Sequence, residues 1–265
     1  MTLPGSPYQP TLGDLPDGRG AAFLDLDRTL MSGSSGFYWA RAAARAGVIS
    51  RRRLTLDAWE NLKFRLRGST DEAADAVRRR VGEMIAGVPV RDFQRLAPQV
   101  LAEVLPRLYP QMLALAYAHQ DAGRPVYICT AASQEMADLL AHVLAFDGGL
   151  GSRSEVLDGR YTGRAAGPFA YREGKATLLR ELAEHEGLDL LASYAYSDSE
   201  SDLPMLSAVG HPVVVNPDEH LARIARARGW EVLRFDRLAR RLKVMGAAVL
   251  VALLGHAGRT AAARR

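Results

Sequence analysis

The stretch Phe23-Leu24-Asp25-Leu26-Asp27-Arg28-Thr29-Leu30 indicates how this chain folds. The apolar residues 21–24 form a short run that is typical of a buried parallel strand, and Asp25 follows where that strand should end. Ligands of open α/β sheets bind outside the carboxyl ends of the strands. Asp25 and Asp27 could therefore bind a divalent cation at this edge, although pairs of acids with this spacing also occur by chance in loops.

Two later segments supply groups that can hold a phosphate. The apolar run 126–129 leads into Thr130, whose hydroxyl can donate to a phosphate oxygen together with the amide of Ala131. Lys175 lies near the start of a helical pattern that runs to Gly187, and its compact charge suits a phosphate. Each has a plainer interpretation, since Thr130 could be a satisfied strand-end hydroxyl and Lys175 a solvated helix residue. The chain has only three lysines among 34 basic residues, which argues against a background lysine here.

A third segment supplies further carboxylates. The pattern over residues 194–197 predicts a strand, and it leads into an acidic loop that contains Asp198 and Asp202. Pro204 is expected to open the next helix. Asp202 could also serve as the N-cap of that helix, a role compatible with support of a metal ion.

Taken in order, these four segments resemble the signature motifs of the haloacid dehalogenase superfamily, in its phosphoserine-phosphatase-like branch. The resemblance covers about residues 20–215. It implies that Asp25 is a nucleophile that forms an aspartyl-phosphate, and that Asp27 is the general acid and base. It also implies that Thr130, Ala131 and Lys175 bind the phosphoryl group. Mg²⁺ would be bound by Asp25, the Asp27 carbonyl and Asp198, with Asp202 supporting it directly or through water.

The fold expected from this pattern is α/β, with a doubly wound parallel-sheet (Rossmann-like) core and an inserted all-helical cap domain. Strands that alternate with helices favour such a core. Helical spacing over residues 37–46, 54–66, 71–85 and 90–105 favours the cap. The expected divisions are a loose leader (1–19), the catalytic core (20–30 and 106–236), the cap (31–105) and a tail (237–265).

The cap sequence bears on the substrate. Phosphoserine phosphatases carry a glutamate for the substrate ammonium shortly after the first motif, whereas this chain has Ser34 there and no acid from Met31 until Asp57. Arg80 aligns with an arginine that holds the substrate carboxylate in that family, but the run 78–80 could equally be a solvated helix face. Residues 31–105 hold 13 basic and 8 acidic side chains. This excess favours an anionic substrate.

The tail combines seven basic residues with a nearly apolar stretch over residues 244–254. Eleven helical residues reach about 16 Å, which is too short to cross a hydrocarbon core of about 30 Å. The tail could dock on the core, contact an anionic membrane surface or mediate dimerisation, and the sequence does not fix the oligomeric state.

The single cysteine, Cys129, suits a reducing cytoplasm, so we expect a cytoplasmic protein that could associate peripherally with the inner membrane face.

These observations predict a phosphoric monoester hydrolase that uses Mg²⁺. Its substrate would be a small anionic metabolite or a lysophospholipid-like phosphate monoester, with no nucleic-acid partner because no basic face is interleaved with aromatic residues. A phosphotransferase or mutase could use the same residues. A membrane-associated regulator that binds a phospho-ligand without turnover is a further alternative, but it would not need a nucleophile and an acid together.

Overall fold

The computed structural model describes residues 19–47 and 71–235, and these form a parallel sheet flanked by helices. Six strands form the sheet in the order β3-β2-β1-β6-β7-β8. Their bounds are β1 Ala22–Asp25, β2 Val126–Ser133, β3 Gly148–Ser152, β6 Tyr194–Ser197, β7 His211–Val215 and β8 Glu231–Leu233. The order steps outward from β1 in both directions, as in a doubly wound sheet. The predicted fold class is confirmed.

The register of the central strands brings the predicted site residues to one edge. Asp25 at the end of β1 is level with Cys129 of β2, and Leu24 is level with Tyr196 of β6. Thr130 and Asp198 therefore lie one and two positions beyond these pairs. Because the strands are parallel, all three residues lie at the carboxyl edge of the sheet.

Helices connect the strands on either side of the sheet. The segment between β1 and β2 contains only helical elements among its described residues, apart from isolated bridges. Its helices span Ser35–Arg45, Asp71–Ile85, Val90–Gln94 and Ala97–Val104, followed by the 3-10 turn Leu105–Arg107. The helices that follow in the core span Pro110–Asp121, Gln134–Val143, Glu173–Glu186, Leu203–Ser207 and Glu219–Arg228. These elements agree with the predicted helical cap inserted into an α/β core.

Some predicted bounds are wrong in detail. The pattern over residues 90–105 is two helices, because the backbone turns between Gln94 and Ala97, where Pro98 occupies the first turn of the second helix. The 3-10 turn Leu105–Arg107 follows, and the next helix begins at Pro110. The predicted helix over residues 54–66, the leader (1–19, of which only Arg19 is described) and the tail (237–265) lie outside the described residues.

A hairpin and a glycine-rich strand complete the core. The hairpin has strands β4 Ser154–Leu157 and β5 Arg160–Ala165. Its turn residues Asp158 and Gly159 both have positive φ, which is typical of an Asp-Gly turn. Strand β3 was not predicted, because glycine is depleted in strands. A Cβ at Gly149 would lie 2.6 Å from the backbone of Ala137, so glycine lets the helix Gln134–Val143 pack closely on β3.

None of the helices within residues 19–47 and 71–235 is long and apolar enough to cross a bilayer.

Candidate active site

Lys175 lies at the centre of the site, buried between two carboxylates. Its Nζ donates to Asp25 Oδ1 at 2.5 Å and to Asp202 Oδ2 at 2.7 Å. All three side chains are nearly inaccessible to solvent. Ser197, the last residue of β6, also donates its hydroxyl to Asp202 Oδ2 at 2.7 Å. Three of the predicted site residues are thus brought together by direct contacts.

Close packing at the start of the helix Glu173–Glu186 explains how Lys175 reaches Asp25. A Cβ at Gly174 would lie 1.8 Å from the carbonyl oxygen of Phe169, so only glycine allows the helix to begin so close to the preceding loop. The lysine therefore points from the first helical turn into the carboxyl edge of the sheet. Because charged residues are rarely this buried without partners, its two ion pairs explain its burial.

The carboxylates around Lys175 shift one another's ionisation. Burial raises the pKa of Asp25 to about 8, and Asp202 and Asp198 add to the rise, whereas Lys175 opposes it. Burial would lower the pKa of Lys175, but the two carboxylates outweigh burial and the pKa is raised. Burial likewise raises the pKa of Asp198 to about 6, although Arg28 opposes the shift. Three buried carboxyl groups, those of Asp25, Asp198 and Asp202, thus lie around one buried cation, Lys175.

The donor set suits a hard divalent cation. Carboxylate and backbone carbonyl oxygens are the ligands that Mg²⁺ prefers, and Asp202 Oδ1 is buried with no hydrogen-bond partner among the described residues. In the described part of the chain, however, no three His, Cys, Asp or Glu side chains are grouped in a metal-binding arrangement. Asp25 contacts Lys175 and Asp198 contacts Arg28. The oxygen atoms of these residues are suitable ligands for Mg²⁺. In this structure the carboxylates of Asp25 and Asp198 pair with cationic side chains.

Asp27 is placed differently from Asp25. It is half-buried, and its two carboxylate oxygens accept hydrogen bonds from the start of the helix Ser35–Arg45. The Ser34 hydroxyl donates to Oδ2 at 3.1 Å, and the Ser35 amide donates to Oδ1 at 2.8 Å. Asp27, for which the resemblance implies a role in proton transfer, is therefore held by the helix that follows it.

Thr130 and Ala131 follow Cys129, the residue of β2 that is level with Asp25. Thr130 is buried, and its hydroxyl oxygen accepts a hydrogen bond from the amide of Ala132 at 3.2 Å. That contact leaves the hydroxyl proton available to donate. Ala131 is exposed at the same strand end.

The two residues predicted to meet the substrate are not placed alike. Ser34 contacts Asp27, whereas Arg80 is exposed on the helix Asp71–Ile85, so a substrate role for Arg80 stays a prediction.

Asp202 precedes the helix Leu203–Ser207, but its side chain makes no capping hydrogen bond. The N-cap interpretation of Asp202 is therefore wrong in detail, because this carboxylate bonds Lys175 and Ser197 instead.

Two site residues were not singled out from the sequence. Arg28 has a φ of 63°, and its half-exposed guanidinium forms an ion pair with Asp198. Ser197 bonds Asp202. Both adjoin predicted motif residues, and that adjacency is the one signal that could have found them.

Known proteins resemble this chain over most of its length. The profile of the haloacid dehalogenase-like hydrolases matches residues 22–207. The chain is 38% identical over 263 residues to a Mycobacterium tuberculosis protein named phosphoserine phosphatase SerB1, covering 98% of this chain and 83% of that protein.

Solved structures share the fold. A Bordetella pertussis protein of unknown function has a TM-score of 0.72 and 29% identity, over 82% of this chain and 98% of its own. A phosphoserine phosphatase, solved as a phospho-aspartyl intermediate analogue, has a TM-score of 0.56 and 18% identity, over 86% and 99%; this second likeness concerns the fold alone. The chain belongs to the haloacid dehalogenase-like hydrolase family, as a phosphatase similar to the phosphoserine phosphatases.

Proposed function

We propose that the protein is a Mg²⁺-dependent phosphatase that hydrolyses a phosphate monoester through an aspartyl-phosphate on Asp25. The observation that supports this most strongly is the buried contact between Lys175 and Asp25, at 2.5 Å. A carboxylate can attack a phosphate anion only where fixed positive charge offsets their repulsion. Lys175 supplies such a charge beside the attacking oxygen.

The reaction has two displacements at phosphorus. In the first, a carboxylate oxygen of Asp25 forms a bond to phosphorus, the bond from phosphorus to the ester oxygen breaks, and Asp27 gives its proton to the departing alkoxide. In the second, a water oxygen forms a bond to phosphorus, Asp27 accepts the water proton, and the bond from Asp25 to phosphorus breaks. Asp27 thus returns to its starting state, since each proton it gives is regained.

Thr130, Ala131 and Lys175 bind the phosphoryl oxygens in this scheme. The Thr130 hydroxyl and the Ala131 amide donate at the end of β2, and Lys175 provides charge from the opposite side. The transferred group spreads its negative charge over three oxygens, so donors that are already fixed in place favour the transition state.

Mg²⁺ would be held by Asp25, the Asp27 carbonyl and Asp198, with Asp202 in support, and when bound it supplies charge that neutralises the phosphate. The unpartnered Oδ1 of Asp202 and the excess of buried carboxylate over buried cation agree with this assignment. Arg28 would then exchange its contact with Asp198 for another anionic group.

The substrate class follows from the charge around the cap. Residues 31–105 carry net positive charge, and Ser34 takes the place where an acid would meet a substrate ammonium. A small anionic or lysophospholipid-like phosphate monoester fits these features better than phosphoserine. Contact of the basic tail with an anionic membrane would favour the lipid-like member of this class.

A phosphate-release screen tests the proposal. The full chain is assayed with phosphoserine, glycerol phosphates, sugar phosphates and lysophosphatidate, with Mg²⁺ and with a chelator. We expect phosphate release that depends on Mg²⁺. We also expect at least one of the other esters to be hydrolysed faster than phosphoserine. No release from any ester with Mg²⁺, or equal release with the chelator, would contradict the proposal.

A further inference from the structure

Asp27 is held by donors from the cap side of the site. Both of its carboxylate oxygens are engaged, one by the Ser34 hydroxyl at 3.1 Å and the other by the Ser35 amide at 2.8 Å. These donors belong to the N-terminus of the helix Ser35–Arg45, the first helix after β1. Asp25, only two residues away, is held instead by Lys175 from the core.

Gly33 separates Ser34 from the connection between the cap segment and the core. Residues on the way into the cap segment pair with residues on the way out, since the Ser32 amide donates to the Arg107 carbonyl at 2.8 Å and the Tyr109 amide donates to the Leu30 carbonyl at 2.9 Å. This two-stranded connection ends at Ser32. Gly33 follows with a φ of 94°, a conformation that side chains other than glycine rarely adopt, and Ser34 comes next.

Ser34 lies beyond Gly33, so its contact with Asp27 depends on where the helix Ser35–Arg45 sits. Both donors to Asp27 come from the start of this one helix, so the cap segment holds the acid of the core motif.

We propose that Ser34 is a positioning residue, which orients Asp27 for proton transfer. This inference rests on the proposed function and changes the assignment of Ser34 from substrate contact to support of the acid. The Ser34 hydroxyl bonds Oδ2 and the Ser35 amide bonds Oδ1, so these two donors fix the plane of the carboxyl group. In the acid form, the proton that goes to the leaving group is on one oxygen, and the other oxygen still accepts a hydrogen bond. The hydroxyl contact therefore orients the acid without taking up its proton.

This role predicts a specific kinetic pattern. An alkoxide leaving group needs a proton as it departs, whereas nitrophenolate needs little help. Loss of the Ser34 hydroxyl should therefore lower kcat for an alkyl phosphate much more than for nitrophenyl phosphate. It should leave KM for both esters unchanged, because Ser34 does not contact the substrate in this assignment.

The test compares Ser34→Ala, Ser34→Thr and the wild type in the full chain. Substrates are nitrophenyl phosphate and the alkyl phosphate that the wild type hydrolyses fastest in the screen. For Ser34→Ala we expect kcat on the alkyl ester to fall about 10- to 100-fold, the range for a hydrogen bond to a charged group, with a much smaller fall on nitrophenyl phosphate. Ser34→Thr retains the hydroxyl and should restore most of the lost rate.

Three results would overturn the inference: equal losses on both esters, a change confined to KM, or no rescue by threonine. A change confined to KM would return Ser34 to the substrate-contact role. Failure of the proposed function itself would look different, because the wild type would then hydrolyse neither ester in the presence of Mg²⁺.

Discussion

The core side and the cap side of the site are built in different ways. On the core side, Asp25, Lys175 and Asp202 are buried and joined by ion pairs of 2.5 and 2.7 Å. On the cap side, Asp27 and Ser34 are half-buried and joined by a single hydrogen bond of 3.1 Å. Strand register and the close packing at Gly174 set the core side, whereas the cap side depends on the helix that follows Gly33.

The two sides have different roles in the proposed reaction. The buried ion pairs hold Asp25 and Lys175 together, which in the proposed mechanism preorganises the attack on phosphorus. The half-buried Asp27, the proposed acid, is instead held by the helix Ser35–Arg45 of the cap segment. Substitutions on the core side should therefore lower the turnover of all esters alike. The effect of substitutions on the cap side should differ from one ester to another.

A second contact joins the cap segment to the core through the hairpin. The Gly87 amide donates to the Tyr161 carbonyl at 2.8 Å, and the Tyr161 amide donates to the Val88 carbonyl at 3.0 Å. The Tyr161 hydroxyl donates to Glu135 Oε1 at 2.7 Å, at the start of the helix that follows Thr130. The hairpin thus links the cap segment to the strand end that would bind phosphate.

Replacement of Lys175 should have the largest effect of any change on the core side. Lys175→Met leaves Asp25, Asp202 and Asp198 without their buried cation, and breaking a buried pair typically lowers stability by about 3–5 kcal/mol. We expect such a loss by chemical denaturation at pH 8 in the absence of metal, together with loss of turnover on every ester. The loss should shrink at pH 5, because protonation of the carboxyl groups removes the uncompensated charge.

Arg180→Met provides the matched control on the same helix. Arg180 is half-exposed and paired with Glu173 at 2.9 Å, so its loss should change the free energy of unfolding by less than about 0.5 kcal/mol. If Lys175→Met were as stable as Arg180→Met and still active, the core side would not depend on its buried cation.

Substitution at Gly82 should have a smaller effect, confined to the cap side. A Cβ at this position would lie 2.2 Å from the Gly163 carbonyl oxygen, so Gly82→Ala must push the helix Asp71–Ile85 away from the hairpin. Overpacking of this kind lowers stability by about 1–3 kcal/mol. We expect that loss in thermal denaturation, with a raised KM and an unchanged affinity for Mg²⁺ by calorimetry.

Gly36→Ala serves as its control, because it also changes a helical glycine to alanine. The nearest atom to a Cβ at Gly36 is Ser34 Oγ at 3.9 Å, so alanine fits there and should stabilise the helix by about 0.5–1 kcal/mol. Equal effects of the two substitutions would show that the contact with the hairpin does not position the cap segment.

The sequence predicts the core side better than the cap side, for physical reasons. Residues such as Asp25 and Asp198 follow apolar runs, and the register of a parallel sheet brings strand ends together, so their proximity could be predicted. Strand β3 could not, because Gly149 and Gly151 lack strand propensity and are required by close packing on the helix Gln134–Val143.

Contacts between different segments of the chain could not be predicted from the sequence. The bond from Ser34 to Asp27 depends on the turn at Gly33, and the bond from Tyr161 to Glu135 joins a hairpin to a helix. His119 looked like one of several scattered histidines, but it is fully buried and bonded to Tyr196 at 2.7 Å. Burial lowers its pKa to about 3, with a smaller contribution from Arg124. Such partners become apparent only when the fold is known.

Detection of a phosphoryl group on Asp25 tests the central claim most directly. The protein is mixed with Mg²⁺ and its best phosphate ester, quenched in acid during turnover, digested and analysed by mass spectrometry, with Asp25→Asn treated in parallel. We expect a phosphorylated peptide that contains Asp25 in the wild type, and neither phosphorylation nor turnover in Asp25→Asn. Phosphorylation of another residue, or continued turnover by folded Asp25→Asn, would contradict the account.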